Sequence, residues 1–147
     1  MTAKGFLMQT IKYKRKVLAL AKKEEELRAK AEGLRAIAYD RDRVQVSPSD
    51  QMPGNVAELV AVQEEYAQAI AECWRHIHQC EDLIGELHSE KQIEILRWRY
   101  IEDNNGRQYY FSEIAEKMGT DNTSSVIRLH KRAIKSLENK FRNGTTM

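Results

Sequence analysis

The sequence predicts an all-α protein with two parts: an N-terminal antiparallel coiled-coil helical hairpin and a C-terminal helix-turn-helix domain. The 147 residues include only two prolines and seven glycines, and 31% of them are charged, which is typical of a helix-rich chain. Heptad patterns run through the first two thirds, and a glycine-containing turn before a basic helix occupies the last third. This length accommodates one domain or two small ones.

The charges divide into three blocks. Residues 1–43 hold twelve basic and six acidic side chains, residues 44–90 hold one and nine, and residues 91–147 hold eleven and seven. The net charges are therefore +6, −8 and +4. Opposite signs predict that the first two blocks pair with each other, and the basic last block predicts an anionic partner.

A heptad pattern defines the first helix. Every seventh residue is a large apolar one, and the positions four further on are mostly small or apolar; the two sets are Phe6, Tyr13, Leu20, Leu27 and Leu34, and Thr10, Val17, Glu24, Ala31 and Ala38. We expect this helix to end near residue 39, before a proline-containing loop at about residues 40–55.

A second seam predicts the returning helix. Its positions alternate steps of four and three: Leu59, Gln63, Tyr66, Ile70, Cys73, Ile77, Cys80, Ile84 and Leu87. Helices over residues 7–38 and 56–87 match in length, which predicts an antiparallel hairpin forming a first domain over residues 1–88. Ile11 and Leu18 lie beside the seam and are expected to remain uncovered, so we predict a homo-oligomer, with a dimer favoured.

A second domain is predicted from Ser89 to about residue 142, followed by a frayed tail over residues 143–147. Ser89 and Gln92 have the spacing of a capping box and open a helix with one apolar side. That helix is expected to end in a turn at residues 103–107. A short helix over residues 112–118, a turn at Gly119, and a long helix from about Thr123 to Phe141 should follow.

The last two helices have the helix-turn-helix outline. Ile114 should point into the core, Ala115 should lie where the helices cross, and Val126 and Leu129 should anchor the second helix. Its opposite side offers small polar groups, an arginine suited to guanine and lysines suited to phosphates. The predicted DNA-binding residues are Asn122, Thr123, Ser124, Ser125, Ile127, Arg128, Lys131, Arg132 and Lys135.

The segments LRWRYIE, FSEIAEKMG and VIRLHKRAIKSL resemble the promoter-reading fourth region of bacterial sigma factors. Together with the opening MTAKGFL and the VQVSPS linker, they resemble small phage and prophage proteins with sigma-like C-termini, including the RinA/ArpU-like regulators of late genes. The resemblance implies sequence-specific binding to double-stranded DNA and control of phage or prophage transcription. The turn before Val126 is one residue longer than the sigma pattern, which shifts the transferred contact positions by about one residue.

Two other functions remain open at this stage. One is a DNA-packaging recognition subunit, similar to a small terminase, because such proteins also join a helix-turn-helix to oligomerisation segments. The other is a coiled-coil adaptor that binds RNA polymerase without DNA. Oligomer size and the effect of removing Arg128 and Lys131 would separate these functions from regulation.

Other residues are better explained by packing than by chemistry. Cys73, His76 and Cys80 share a helical face, but both cysteines occupy seam positions and a single helix presents no fourth ligand, so we expect no metal site and no cofactor. Arg97 and Arg99 could contact phosphates or pack within the domain, and the aromatic run at residues 109–111 could stack on a base or close the core. No phosphate-binding loop or catalytic motif is present, so we expect no enzymatic activity.

The expected location is the cytoplasm of a bacterial host cell. The longest purely apolar run is Val17–Ala21, too short for a membrane span. Two cysteines seven residues apart on one helix are too distant to form a disulfide, which fits a reducing compartment.

Overall fold

The computed structural model describes the backbone of residues 1–40 and 52–145 and the side chains of residues 1–33 and 56–143, and this part of the chain is all-helical. The helices, in order, are α1 Ala3–Asp40, α2 Met52–Ile84, α3 Glu90–Leu96, α4 Phe111–Lys117 and α5 Thr123–Thr145. α3 continues into a π-helical segment, Arg97–Ile101. The predicted all-α class is confirmed.

Two helix ends differ from the predicted ones. α2 begins at Met52, inside the loop predicted at residues 40–55, and Pro53 is tolerated there because amides in a first turn have no intrahelical partner. The remainder of that loop, residues 41–51, lies outside the described residues. α5 continues to Thr145, so the tail predicted to fray from residue 143 is helical as far as Thr145.

The chain forms two compact units that do not follow the predicted boundary at residue 88. One unit combines residues 1–15 with residues 72–147, and the other is residues 16–71. α1 and α2 each contribute to both units. The beginning of α1 and the end of α2 therefore belong to the same unit as α3, α4 and α5.

In the unit of residues 16–71, the buried apolar side chains are Leu20 and Leu27 from α1 and Val62 and Ala69 from α2. The predicted seam is wrong at Gln63, whose side chain is exposed, while its neighbour Val62 is only 3% exposed. The Gln63 amide nitrogen donates to the Glu24 carboxylate across 3.4 Å. This register buries the apolar Val62 side chain and leaves the polar Gln63 side chain exposed. Its free energy is lower than that of the predicted register, which would bury the amide.

The other unit has a core that draws on all five helices. Leu7, Ile84, Ile95, Ile114 and Leu137 are almost completely buried, one from each helix. Ile11 is also buried at 6% exposure, so the prediction that it lies uncovered beside the seam is wrong. The physical reason is that the beginning of α1 packs into this second core on a face that a simple hairpin would leave open.

A polar cluster connects α1 and α2 within this unit. The imidazole of His76 is buried between the rings of Phe6 and Tyr13, with centroid distances of 4.7 and 5.0 Å. Its Nε2 lies 3.3 Å from Cys80 Sγ, which lies 3.5 Å from Thr10 Oγ1. Burial lowers the pKa of His76, so the neutral ring is favoured in this apolar setting.

Among the residues that the structure describes, no helix has the length and apolar character needed to cross a membrane.

Candidate nucleic-acid interface

The N-terminal end of α4 is fixed by Glu113. Its carboxylate accepts hydrogen bonds from the Tyr110 backbone amide at 2.8 Å and from the Arg107 guanidinium at 2.9 and 3.2 Å. The Arg107 guanidinium, with the Tyr110 amide, lowers the pKa of Glu113. Ile114 and Ala115 on the following turn are buried against the rest of the unit, as predicted.

The turn between α4 and α5 depends on one glycine and one asparagine. Gly119 has φ +74°, in the left-handed region that side chains disfavour, and the Thr120 amide then donates to the Ala115 carbonyl at 2.9 Å. Asn122 Oδ1 accepts a hydrogen bond from the Ser125 amide at 3.1 Å. Asn122, predicted to contact DNA, therefore caps the N-terminus of α5.

One side of α5 is buried. Val126, His130, Ala133 and Leu137 follow spacings of four, three and four, and each is less than 8% exposed. This face packs α5 into the unit over three helical turns. The predicted anchor Leu129 is half-buried at the edge of this face.

The opposite side of α5 is exposed and basic. Ser124, Arg128, Lys131 and Lys135 are exposed and lie within about 60° of one another around the helix axis. Arg132 and Ser125 are exposed to one side of them, whereas Thr123 and Ile127 are half-buried at the other edge. We call Arg128, Lys131, Arg132 and Lys135 the α5 cations.

The α5 cations form no ion pair with any residue that the structure describes. The only acidic residue of α5, Glu138, accepts a hydrogen bond from the backbone of Lys4 instead. Exposed cations on one helix face can contact phosphates, and an arginine can bind the two acceptor groups of guanine in a major groove. The arrangement thus offers a cationic surface from Arg128 to Lys135, before Glu138 on the same side of the helix.

A buried hydrogen bond holds the back of α5. Tyr100, at the end of the π-helical segment, places its hydroxyl 2.7 Å from Nε2 of His130, and the Phe111 ring meets the imidazole at 4.9 Å between centroids. Burial, followed by the charges of Arg99 and Lys4, lowers the pKa of His130 to about 4, and burial raises the pKa of Tyr100 to about 12. Both groups are neutral near pH 7, and the tautomer of His130 decides which of the two atoms donates the proton.

Two basic residues of α1 bond to the chain around the turn at residues 103–107. The sequence did not indicate these contacts. Lys14 Nζ donates to the Ile101 carbonyl and to Asp103 Oδ1, the latter at 2.9 Å, and Arg15 Nε donates to the Gly106 carbonyl at 2.8 Å. Although burial raises the pKa of Asp103, the hydrogen bonds from Lys14 and the Gly106 amide outweigh it and lower that pKa. The turn at residues 103–107 is thereby attached to the first helix.

The remaining polar and aromatic residues of interest are engaged within the chain. Arg97 contacts the Glu81 carboxylate at 3.4 Å, and the Arg99 guanidinium lies 4.4 Å from the centre of the Phe111 ring. Trp98 and Tyr109 meet edge to face at 5.8 Å. These contacts favour the packing interpretation of Arg97, Arg99, Tyr109 and Phe111, whereas Tyr110 is 60% exposed.

Cys73 and Cys80 are both buried free thiols. Burial raises the pKa of Cys80 to about 11 and raises that of Cys73, so both remain protonated at neutral pH. Within the described ranges, no group of three or more His, Cys, Asp or Glu side chains is arranged to hold a metal ion.

Comparisons of this chain with protein-family models, with curated proteins and with solved structures gave no match.

Proposed function

We propose that this protein is a sequence-specific DNA-binding regulator of phage or prophage transcription, with no catalytic activity and no cofactor. In this proposal α4, the turn at Gly119 and α5 form a sigma-like helix-turn-helix. The residues from Ser124 to Lys135 on the exposed side of α5 enter a major groove.

The observation that carries the proposal is the exposed, unpaired set of α5 cations. Arginines and lysines that pack or form internal ion pairs, such as Arg97, Arg99 and Arg107, are found elsewhere in the same unit. On α5 the cations instead face water along a helix whose opposite side is buried. Like charges on one helix face repel one another modestly, and a bound anion such as a phosphate relieves that repulsion.

The roles within the face follow from side-chain chemistry. Arg128 is closest to the N-terminus of α5 and is proposed to read a base, since its planar guanidinium can form two hydrogen bonds with guanine. Ser124 and Ser125 are small enough to let the backbone approach the groove. Lys131, Arg132 and Lys135 are proposed to contact phosphates. Asn122 is assigned to capping rather than to recognition.

The α1–α2 region is proposed to be an antiparallel coiled-coil hairpin that forms a homodimer or binds RNA polymerase. Leu18, Val56 and Val60, all in the unit of residues 16–71, are 46–48% exposed, which supports a further contact there. Sedimentation analysis of the full chain tests the dimer. Replacing Leu18 by glutamate should then yield monomers.

The test of function is a selection from a random duplex DNA library with the purified full chain. One enriched motif is expected, and its symmetry and half-site spacing should reflect the oligomer. Retention of DNA without enrichment would favour packaging, and absence of retention would favour the polymerase-binding adaptor.

The variant Arg128→Ala with Lys131→Ala tests the proposed face directly. It should weaken binding to the selected motif and reduce the salt dependence by about 0.9 for each phosphate that the variant no longer neutralises. The matched control is Lys22→Ala with Lys23→Ala, which removes the same net charge from exposed positions of α1. Equal effects of the two variants would contradict the assignment of α5.

A further inference from the structure

The first turn of α1 packs against the C-terminal half of α5. The Lys4 backbone amide donates to Glu138 Oε1 across 3.2 Å, and the Phe6 and Phe141 rings lie 5.9 Å apart between centroids. The start of α1 is itself fixed, because Thr2 Oγ1 accepts a hydrogen bond from the Gly5 amide at 3.0 Å. Lys4 and Phe6 are thereby held against α5, the helix that carries the α5 cations.

This contact engages the one acidic side chain of α5. Glu138 lies three residues after Lys135 and seven after Lys131, so it shares their side of α5. Its carboxylate accepts from the first turn of α1, where the amides and the helix dipole favour negative charge. Glu138 is thus hydrogen-bonded to α1, and within the described residues it forms no ion pair with the α5 cations.

The same contact adds a cation. The Lys4 side chain is exposed and forms no ion pair within the described part of the chain. The charge of its ammonium, after burial and Arg99, also lowers the pKa of His130 on α5. The bond of the Lys4 amide to Glu138 therefore places Lys4 beside α5, on the helix that also carries Lys131 and Lys135.

We propose that Lys4, at the beginning of α1, contacts a DNA phosphate at the edge of the surface formed by the α5 cations. The proposal rests on the function proposed above and extends its interface to a residue more than a hundred positions away in sequence. The chemistry is that of an ammonium and a phosphate, so Lys4 adds affinity and salt dependence but carries no sequence preference.

The experiment measures binding of the full-length protein to duplex DNA over a range of salt concentrations, by fluorescence anisotropy. The probes are the motif recovered by the selection and a mixed-sequence duplex. Lys4→Ala should reduce the slope of log affinity against log salt by about 0.9 and weaken binding about fivefold near physiological salt. The loss should be equal on both probes, and Lys4→Arg should bind as the original protein does.

The matched control is Lys30→Ala, which removes one exposed lysine from the same helix in the other compact unit. It should leave the slope unchanged. If Lys4→Ala and Lys30→Ala reduce the slope equally, the effect is one of net charge and the proposal is overturned.

Two further outcomes separate the failure of this proposal from the failure of the proposed function. Lys4→Ala without effect, while Lys131→Ala lowers the slope, would overturn the role of Lys4 and leave the function standing. Absence of DNA binding by the original protein would overturn both. Thermal unfolding of each variant, followed by circular dichroism, confirms that the exposed substitutions leave the fold intact.

Discussion

The Tyr100 hydroxyl and Nε2 of His130 form a hydrogen bond of 2.7 Å, and both side chains are buried, at 2% and 7% exposure. Tyr100 lies in the π-helical segment Arg97–Ile101 that follows α3, and His130 lies on the buried side of α5 between Arg128 and Lys131. The bond therefore joins the segment after α3 to α5 and helps to fix which side of α5 faces the core. The imidazole of His130 is buried here, whereas an imidazole in water would be protonated in mild acid.

Stability should fall as the pH drops from about 6.5 towards 4. The folded pKa of His130 is lowered from 6.5 to about 4, so the unfolded chain binds a proton in this range before the folded chain does. The contribution of His130 is fully present above pH 6.5 and is lost through this window, with a limit of about 3 kcal/mol. His76, whose pKa is also lowered, adds to the loss in the same direction.

Urea unfolding at a series of pH values measures this dependence. His130→Asn should flatten the curve of unfolding free energy against pH, because asparagine does not titrate. The matched control is His78→Asn, which removes an exposed histidine. A slope that survives His130→Asn unchanged would assign the pH dependence to other groups.

Removal of the Tyr100 hydroxyl should destabilise the protein. Tyr100→Phe leaves Nε2 of His130 buried without its hydrogen-bond partner, at a cost of about 1–3 kcal/mol. The double variant Tyr100→Phe with His130→Leu removes both polar groups and should cost less than the sum of the two single changes. Chemical unfolding of the four proteins gives the coupling energy, and simple additivity would show that the bond contributes nothing.

Local features of the fold were predictable from sequence because short-range chemistry determines them. Ser89 caps α3 by accepting a hydrogen bond from the Gln92 amide at 3.3 Å, Gly119 takes the positive φ, and Arg128 and Lys131 are exposed on α5. Each follows from the identity of a residue and its neighbours within one or two helical turns. The DNA-binding role of α5 remains a prediction.

Features that depend on contacts between distant residues were not predictable. The bond from Lys14 to Asp103 joins positions 89 apart, and the contact of Lys4 with Glu138 joins positions 134 apart. A heptad pattern cannot show that the beginning of α1 leaves the hairpin seam and buries Ile11 in a second core. The choice of Val62 over Gln63 depended on the same kind of packing, since both positions fit a helical period.

The predicted domain of residues 89–142 should not fold stably as a separate fragment. The compact unit that contains it also includes residues 1–15 and 72–88, which supply Leu7, Ile11 and Ile84 to the core. Without them, Ile101 and Asp103 no longer bond to Lys14, and apolar surface is exposed to water. Circular dichroism and amide proton dispersion of the fragment should show partial helicity without fixed packing.

The matched measurement uses the full chain with Lys14→Met, which keeps the length of the side chain and removes its charge. Asp103 then retains the Gly106 amide but has no ammonium partner, so we expect a loss of about 1–3 kcal/mol with the helices intact. A cooperatively folded 89–142 fragment would show that α1 is dispensable for this domain.

Two glycines should respond in opposite directions to replacement by alanine. Gly119 has φ +74°, so Gly119→Ala should destabilise the protein by about 1 kcal/mol even though no atom lies within 4 Å of the added methyl group. Gly33 lies within α1, also with nothing within 4 Å, and Gly33→Ala should stabilise the protein by about 0.5–1 kcal/mol because alanine favours the helix. Since both methyl groups enter open space, the opposite signs isolate the effect of backbone conformation from that of packing.

Thermal unfolding of the two variants provides the comparison. Gly119→Asn should lose less stability than Gly119→Ala because asparagine tolerates the left-handed region. Equal stability of the original protein and Gly119→Ala would mean that the turn between α4 and α5 does not require a positive φ in solution.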